Sequence, residues 1–179
     1  MPVDDDLNID TNPDLDQHFL SNPAKLTLII EAAGIQPTDH VVEVGAGIGT
    51  VAEFVPTCQS LTVIEYDANL MPHLRRRVPH ARVIEGDALA ILPTLSCDIL
   101  LSNLPSKLTP AVVALLPMLN FRVALVTTPS IEALASLKDS FMLEPVTELE
   151  PDDFRPRQEA RVEMVKIRRA GKLRSTGAA

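Results

Sequence analysis

The sequence predicts a doubly wound α/β domain: a mostly parallel seven-stranded sheet with an antiparallel edge. Three observations carry this. Five short apolar runs alternate with stretches of helical periodicity between residues 24 and 141, as βαβ units with helices on both faces require. Two later runs, 142–150 and 159–169, alternate apolar and polar residues, as an antiparallel pair with one wet face does. At 179 residues and 46% apolar content, the chain has the length of one domain and enough apolar material for its core.

Each element has a local reason. Pro23 precedes AKLTLIIEAAGI, apolar at helical spacing and halted at Gly34. HVVEVGAGIGT is a short strand running into a glycine-rich turn, and VAEFVPT continues as a helix that Pro56 ends early. LTVIEYD is the second strand. ANLMPHLRRRV is a helix, with Pro72 tolerated in its first turn. ARVIEGDA and CDILLSNLPS are the third and fourth strands. PAVVALLPML is a helix with Pro110 at its start. FRVALVTTP is the fifth strand and SIEALASLKDSF a helix. MLEPVTELE and EARVEMVKIRR close the chain as a hairpin.

Charge and composition narrow the function. The net charge is −8 and aromatic residues are 3%, a poor default for gripping phosphate backbones or stacking single-stranded bases. Residues 1–16 hold six Asp and no base, which reads as a solvated acidic tail. Residues 155–174 hold eight bases against two acids, a net +6, so the remainder carries −14. That basic end is either a polar strand face with a flexible tail over 169–179, or an anchor for RNA or an acidic partner. Cys58 and Cys97 lie too far apart for a CxxC metal site, and His40, His73 and His80 have no metal-ligand spacing. No apolar run reaches 18 residues and the N-terminus is acidic. The expectation is a cytoplasmic, soluble domain over 17–168, with no membrane partner and no metal.

The chemistry concentrates at the ends of the first four strands. Glu43-Val44-Gly45-Ala46-Gly47-Ile48-Gly49 follows the first strand, where glycines let the backbone turn sharply and approach a ligand. Glu65 lies 20 residues after Gly45, at the end of the second strand, the place of a ribose-binding acid. Asp87 ends the third strand, where a carboxylate can accept from an adenine amino group. Thr50 occupies the position of the third glycine of a dinucleotide fingerprint, and Glu43 would repel a diphosphate but attract a cationic sulfonium-amino acid. These acids favour S-adenosyl-L-methionine over NAD. Each residue also has a plainer reading: Gly45 and Gly47 as a tight turn, Glu65 as a solvated strand end, Asp87 as a helix cap.

With Ser102-Asn103-Leu104-Pro105-Ser106 ending the fourth strand, the chain resembles the rRNA adenine N6-dimethyltransferase family of small-subunit and macrolide-resistance enzymes. The resemblance runs from about residue 16 to residue 168. Gln17-His18-Phe19-Leu20 is similar to the family's N-terminal Q-[NH]-F-L cofactor motif. Glu43 to Gly49 matches E-x-G-x-G-x-G, and Val63-Ile64-Glu65-Tyr66-Asp67 matches the ribose strand. Gly86-Asp87-Ala88 matches the adenine-binding G-D-A, Asn103-Leu104-Pro105 begins the catalytic N-L-P-[YF], and Phe154-Arg155-Pro156 matches F-x-P. The resemblance implies a Rossmann-like class I S-adenosylmethionine-dependent methyltransferase. It implies cofactor contacts from Gln17, His18, Leu20, Glu43, Gly45, Gly47, Glu65, Tyr66, Asp87, Ala88 and Asn103, and catalysis by Asn103, Leu104, Pro105 and Ser106.

The departures matter equally. Ser106 stands where the family has Tyr or Phe, Thr127-Thr128-Pro129 where it has Q-K-E, and Gln158 where it has the second Pro of F-x-P-x-P. The family's RNA-gripping C-terminal helical domain has no counterpart after residue 168, which implies weak RNA binding by this domain alone, or a partner or second copy in its stead. An aromatic amine is a poor nucleophile, and acceptors on its N–H groups localise the lone pair. The Asn103 side-chain oxygen and the Leu104 carbonyl are the expected acceptors, Pro105 stiffens the turn, and Ser106 cannot stack a flipped base. Phe19 or Phe154 would have to substitute for that ring. As plainer readings, Asn103 is a turn-capping residue and Ser106 a helix-side cap. Three functions follow: N6-methylation of adenine in RNA, methylation of a small-molecule or protein amine, or a cofactor-binding assembly protein with little catalysis.

Overall fold

The structure, a computed structural model, describes residue 9 and residues 11–170. Most of the expected acidic tail, and Lys172 and Arg174 of the basic tail, lie outside the described residues. The elements are β1 (Phe19–Leu20), α1 (Pro23–Ala33), β2 (His40–Val44), β3 (Ser60–Glu65), α2 (Met71–Arg77), β4 (Arg82–Glu85), α3 (Ala88–Ile91), β5 (Ile99–Ser102), α4 (Thr109–Leu115), β6 (Val123–Thr128), β7 (Phe141–Leu149), β8 (Phe154–Arg155) and β9 (Val162–Arg169). Seven strands form one sheet in the order β4-β3-β2-β5-β6-β9-β7. The first five are parallel.

The closing strands refine the expected edge. β9, the later of the two, runs antiparallel between β6 and β7, and β7 forms the edge. The reason is burial: Val162, Met164, Val165 and Ile167 are all 3% exposed or less, too apolar for an outer strand, whereas β7 buries only its two ends, Phe141 and Leu149.

Local chemistry sets the helix limits. The Asn22 side chain accepts from the N–H of Ala24 at 3.0 Å to start α1, and Gly34, at φ 58°, ends it. Two expected helices shrink to 3-10 turns. The segment after the glycine loop is helical only over Ala52–Phe54, because Pro56 stops it. The segment after β6 is 3-10 over Ile131–Leu137. Its N-cap residue, Ser130, makes no side-chain capping bond; the Glu163 carboxylate of β9 takes the Ile131 N–H at 2.8 Å and ties its first turn to the sheet.

Alternate strand residues face opposite layers. Val41, Val63, Ile99 and Leu125 pack with Leu26, Ile29 and Leu74 on one face. Val42, Ile64, Leu100 and Ala124 pack with Val112, Leu116 and Leu134 on the other. Separately, β1 and β8 pair antiparallel, with Leu20 opposite Phe154. This joins the first motif of the chain to the last before β9. Residues 12–16, read as tail, are also built into the domain: Asn12 caps a 3-10 turn at Pro13–Leu15, and Leu15 and Asp16 border the main cavity.

Candidate active site

A cavity of about 820 Å³ opens at the carboxyl ends of β2, β3, β5 and β6, where open α/β sheets place ligands. Gly45 and Gly47 form its floor at φ 68° and 56°, a conformation costly for other residues. A Cβ on Gly45 would collide with the Leu104 side chain, and one on Gly47 would lie 2.7 Å from the Phe19 ring. The N–H groups of Gly45 and Ala46 both donate to the Ile64 carbonyl, at 2.9 and 3.1 Å, which folds the loop back over β3.

Glu65 is buried, not a solvated strand end. Its Oε2 accepts from the Gly47 N–H at 2.7 Å, and its Oε1 from the N–H groups of Tyr66 and Asp67, both at 2.8 Å. Three of the roughly four acceptor positions of a carboxylate are thereby filled. Glu65 is the brace of the glycine loop and keeps one acceptor position for a ligand hydroxyl. Asp67, which the sequence reading quoted only as part of a motif, is buried too and accepts from Gln17 Nε2 at 2.8 Å and the Asn69 N–H at 2.9 Å.

Glu43 is 2% exposed, and its Oε2 has no hydrogen-bond partner. Burial pushes its carboxyl up to about 8; the nearby Glu65 charge adds to this, and a backbone hydrogen bond from Ala52 opposes it. An orphaned buried carboxyl beside a glycine cradle fits a cationic ligand, because the ligand's charge supplies the missing partner. Asp87 reconciles both readings offered for it: its Oδ1 caps α3 through the Leu89 N–H at 2.9 Å, and the residue lines the cavity with Ala88.

The same cavity is lined by Asn103, Leu104, Pro105 and Ser106, following β5, with the Leu104 side chain against Gly45. The Thr127 hydroxyl donates to Asn103 Oδ1 at 2.8 Å. Ser106 opens a 3-10 turn, Ser106–Leu108, whose N-cap residue is Pro105. Phe19 and Phe154, the rings expected to substitute for the missing one, both line the cavity but are 8% and 1% exposed, and Phe19 lies against Gly47. Leu20 is fully buried in the core and is not part of the lining, so it supports the cavity from behind. Gln17 and His18 do line it, together with the exposed Tyr66. The ring nitrogens of His18 face Pro156 O at 3.0 Å and Asp16 Oδ1 at 3.2 Å. Lys107, Arg157 and Arg161 border the cavity, a feature that no motif signalled because tertiary folding alone gathers them.

In the basic end, Arg157 pairs with Asp152 at 2.7 Å and Arg161 with Glu148 at 2.9 Å beside the cavity, whereas Arg168 and Arg169 are held in the fold. Arg168 pairs with Glu144. The Arg169 guanidinium lies 5.2 Å from the Phe141 ring and 5.9 Å from that of Phe121, and donates to the Leu119 carbonyl at 2.5 Å. Among the described residues, no group of three or more His, Cys, Asp or Glu is placed to hold a metal, and no helix is long and apolar enough to cross a membrane.

A parallel sheet with one antiparallel strand inserted before its last is the Rossmann-type fold of class I S-adenosylmethionine-dependent methyltransferases, and solved structures share it. A dimethyladenosine transferase from Plasmodium falciparum superposes with a TM-score of 0.78 at 22% identity, over 86% of this chain and 64% of that one. The 23S rRNA methyltransferase ErmE superposes with a TM-score of 0.73 at 20% identity, over 86% and 70%. Within that fold, the chain belongs to the ribosomal RNA adenine dimethylase family, which it matches over residues 8–127. A ribosomal RNA small subunit methyltransferase A from Chlorobium chlorochromatii is 41% identical over 78 residues, covering 43% of this chain and 30% of that protein. A dimethyladenosine transferase from Chaetomium thermophilum is 34% identical over 113 residues, covering 59% and 29%. The matched segments therefore cover under a third of the length of these relatives.

Proposed function

We propose that this domain binds S-adenosyl-L-methionine and transfers its methyl group to the N6 amine of an adenine in RNA, with ribosomal RNA as the substrate that the family suggests. The observation that carries the reading is that one cavity gathers two sets of residues. Gly45, Gly47, Glu65, Asp87 and the orphaned Glu43 line it, and so do Asn103 and the Leu104–Pro105 turn. The donor supplies an electrophilic methyl group. The chain's own residues supply position and charge. Glu65 holds the loop and offers an acceptor to a ribose hydroxyl. Glu43 compensates positive charge. Asn103 Oδ1 and the Leu104 carbonyl accept from the amine, raising its nucleophilicity in place. Lys107, Arg157 and Arg161 at the border suit an acceptor that carries phosphate.

A second reading, a small-molecule or protein amine as acceptor, is favoured by Ser106, which puts no ring at the fourth position of the motif, and by the low exposure of Phe19 and Phe154. Residues 17–168 act as the methyltransferase unit in either case, in the cytoplasm. A partner or second copy would supplement its grip on RNA. Incubating the protein with methyl-labelled donor and counting label in RNA, protein and small-molecule fractions separates these readings. Label in the RNA fraction, released as N6-methyladenosine on digestion, supports the first. Label only elsewhere supports the second, and no label with intact donor binding leaves a binding protein.

A further inference from the structure

The cavity lining contains a hydrogen bond that the motifs do not announce. β5 and β6 are parallel neighbours, with Ser102 opposite Val126, so Asn103 and Thr127 emerge side by side one residue later. Both line the cavity. Thr127 is 6% exposed, so its hydroxyl has little access to water, and it donates to Asn103 Oδ1 at 2.8 Å. The neighbouring Thr128 hydroxyl is turned away and donates to Ser130 O at 2.9 Å, so it does not compete. Asn103 has no other side-chain partner among the described residues.

We infer that Thr127 is a positioning residue: its hydroxyl fixes the Asn103 side-chain amide for the acceptor amine. The inference rests on the reading of Asn103 as the amine's acceptor. An unrestrained amide turns about its last torsion and offers oxygen or nitrogen with similar ease. One hydrogen bond from a buried hydroxyl removes that freedom. Oδ1 has a second lone pair, so it can accept from Thr127 and from an incoming N–H together. The Thr127 hydroxyl therefore stays paired when an amine engages Asn103.

The test uses Thr127→Val, which keeps the shape and β-branching but removes the hydroxyl, with Thr127→Ser as the conservative variant. Two readouts are taken. The first is the side-chain NH₂ signal of Asn103 in a nitrogen–proton correlation spectrum, assigned by its loss in Asn103→Ala. It should move and broaden in Thr127→Val and return in Thr127→Ser. The second is methyl transfer to an adenine-containing RNA. In Thr127→Val, kcat should fall about three- to tenfold, the effect of one neutral hydrogen bond, with the KM for the donor unchanged. Thr127→Ser should recover most of it. In an Asn103→Ala background, Thr127→Val should cost nothing further, because the two act as one unit. An unmoved NH₂ signal, a wild-type kcat in Thr127→Val, or additive losses in the double variant would each overturn the inference. If the wild-type chain labels no RNA, the adenine reading falls, and the NH₂ signal still decides whether Thr127 holds Asn103.

Discussion

The two sets of residues that line the cavity are built differently. The donor-binding set is made of backbone: three N–H groups converge on Glu65, two more on the Ile64 carbonyl, and the glycines sit at positive φ against Leu104 and Phe19. The acceptor set is made of side chains that meet from distant segments: Asn103 after β5, Thr127 at the end of β6, Lys107 beside α4, and Arg157 and Arg161 between β8 and β9. A backbone cradle tolerates few substitutions, since each change meets a Cβ clash or a lost N–H bond. Side chains gathered from several elements can be exchanged one at a time. The motifs match the family throughout the first set, and most of the departures, Ser106, Thr127-Thr128-Pro129 and Gln158, fall in or beside the second.

That contrast can be broken by substitution. The largest effect should come from Asn103→Ala, which removes the acceptor proposed to face the amine. Turnover should fall about 100-fold or more, the size seen when one charge-stabilising hydrogen bond is lost, while donor affinity by calorimetry stays within about twofold. Loss of donor binding in that variant would show that the two sets are not separable. Next comes Gly47→Ala. The added methyl meets the Phe19 ring in a backbone region that costs roughly 1–2 kcal/mol for a non-glycine residue, so donor affinity should fall about tenfold or more. Glu65→Gln sharpens the same point. Its amide keeps one oxygen but turns an NH₂ toward backbone donors, so donor affinity and thermal stability should drop together, whereas a residue that served ribose alone would lower affinity only.

Glu43 gives a pH test. Its folded value of about 8 lies above the ordinary 4.5, so between these values the folded chain holds a proton that the unfolded chain has released. Stability should therefore decline as pH rises from about 4.5 to about 8, and Glu43→Gln should flatten that slope in denaturant titrations. A cationic donor favours the ionised carboxyl, so wild-type affinity should rise with pH over the same window and calorimetry should detect proton release. The smallest effect concerns the cationic border. Arg157→Glu should weaken binding of single-stranded RNA about two- to threefold at low salt and reduce its salt dependence, with donor binding unchanged. Arg157 has an exposed partner of its own, Asp152 at 2.7 Å; charge reversal at Arg168 and Arg169 disturbs the half-buried pair with Glu144 and the contact with the Phe121–Phe141 rings. That reversal should lower stability.

Much of this molecule was legible before folding. Strand and helix order followed from periodicity, because burial on both sheet faces demands apolar runs at those intervals. The placing of Gly45, Gly47, Glu65 and Asp87 around one cavity was legible because each stands at the end of a strand of its own βα unit, where local geometry dictates residue type. Leu20 was not: its motif named it a cofactor contact, yet strand alternation turns it into the core. The 3-10 character of Ile131–Leu137 was equally hidden, since the carboxylate that binds its first turn belongs to Glu163, 32 residues away.

The sequence by itself determined the βα repeats, the glycine loop and the acids that end the strands, all consequences of interactions within a few residues. Only the tertiary structure decided the insertion of β9 before β7, the seating of residues 12–16 beside the cavity, and the meeting of Thr127 with Asn103. Those depend on which strands become neighbours and which side chains lose access to water. Both are properties of the packed sheet as a whole, set by the balance of apolar burial and hydrogen-bond satisfaction across segments far apart in the chain.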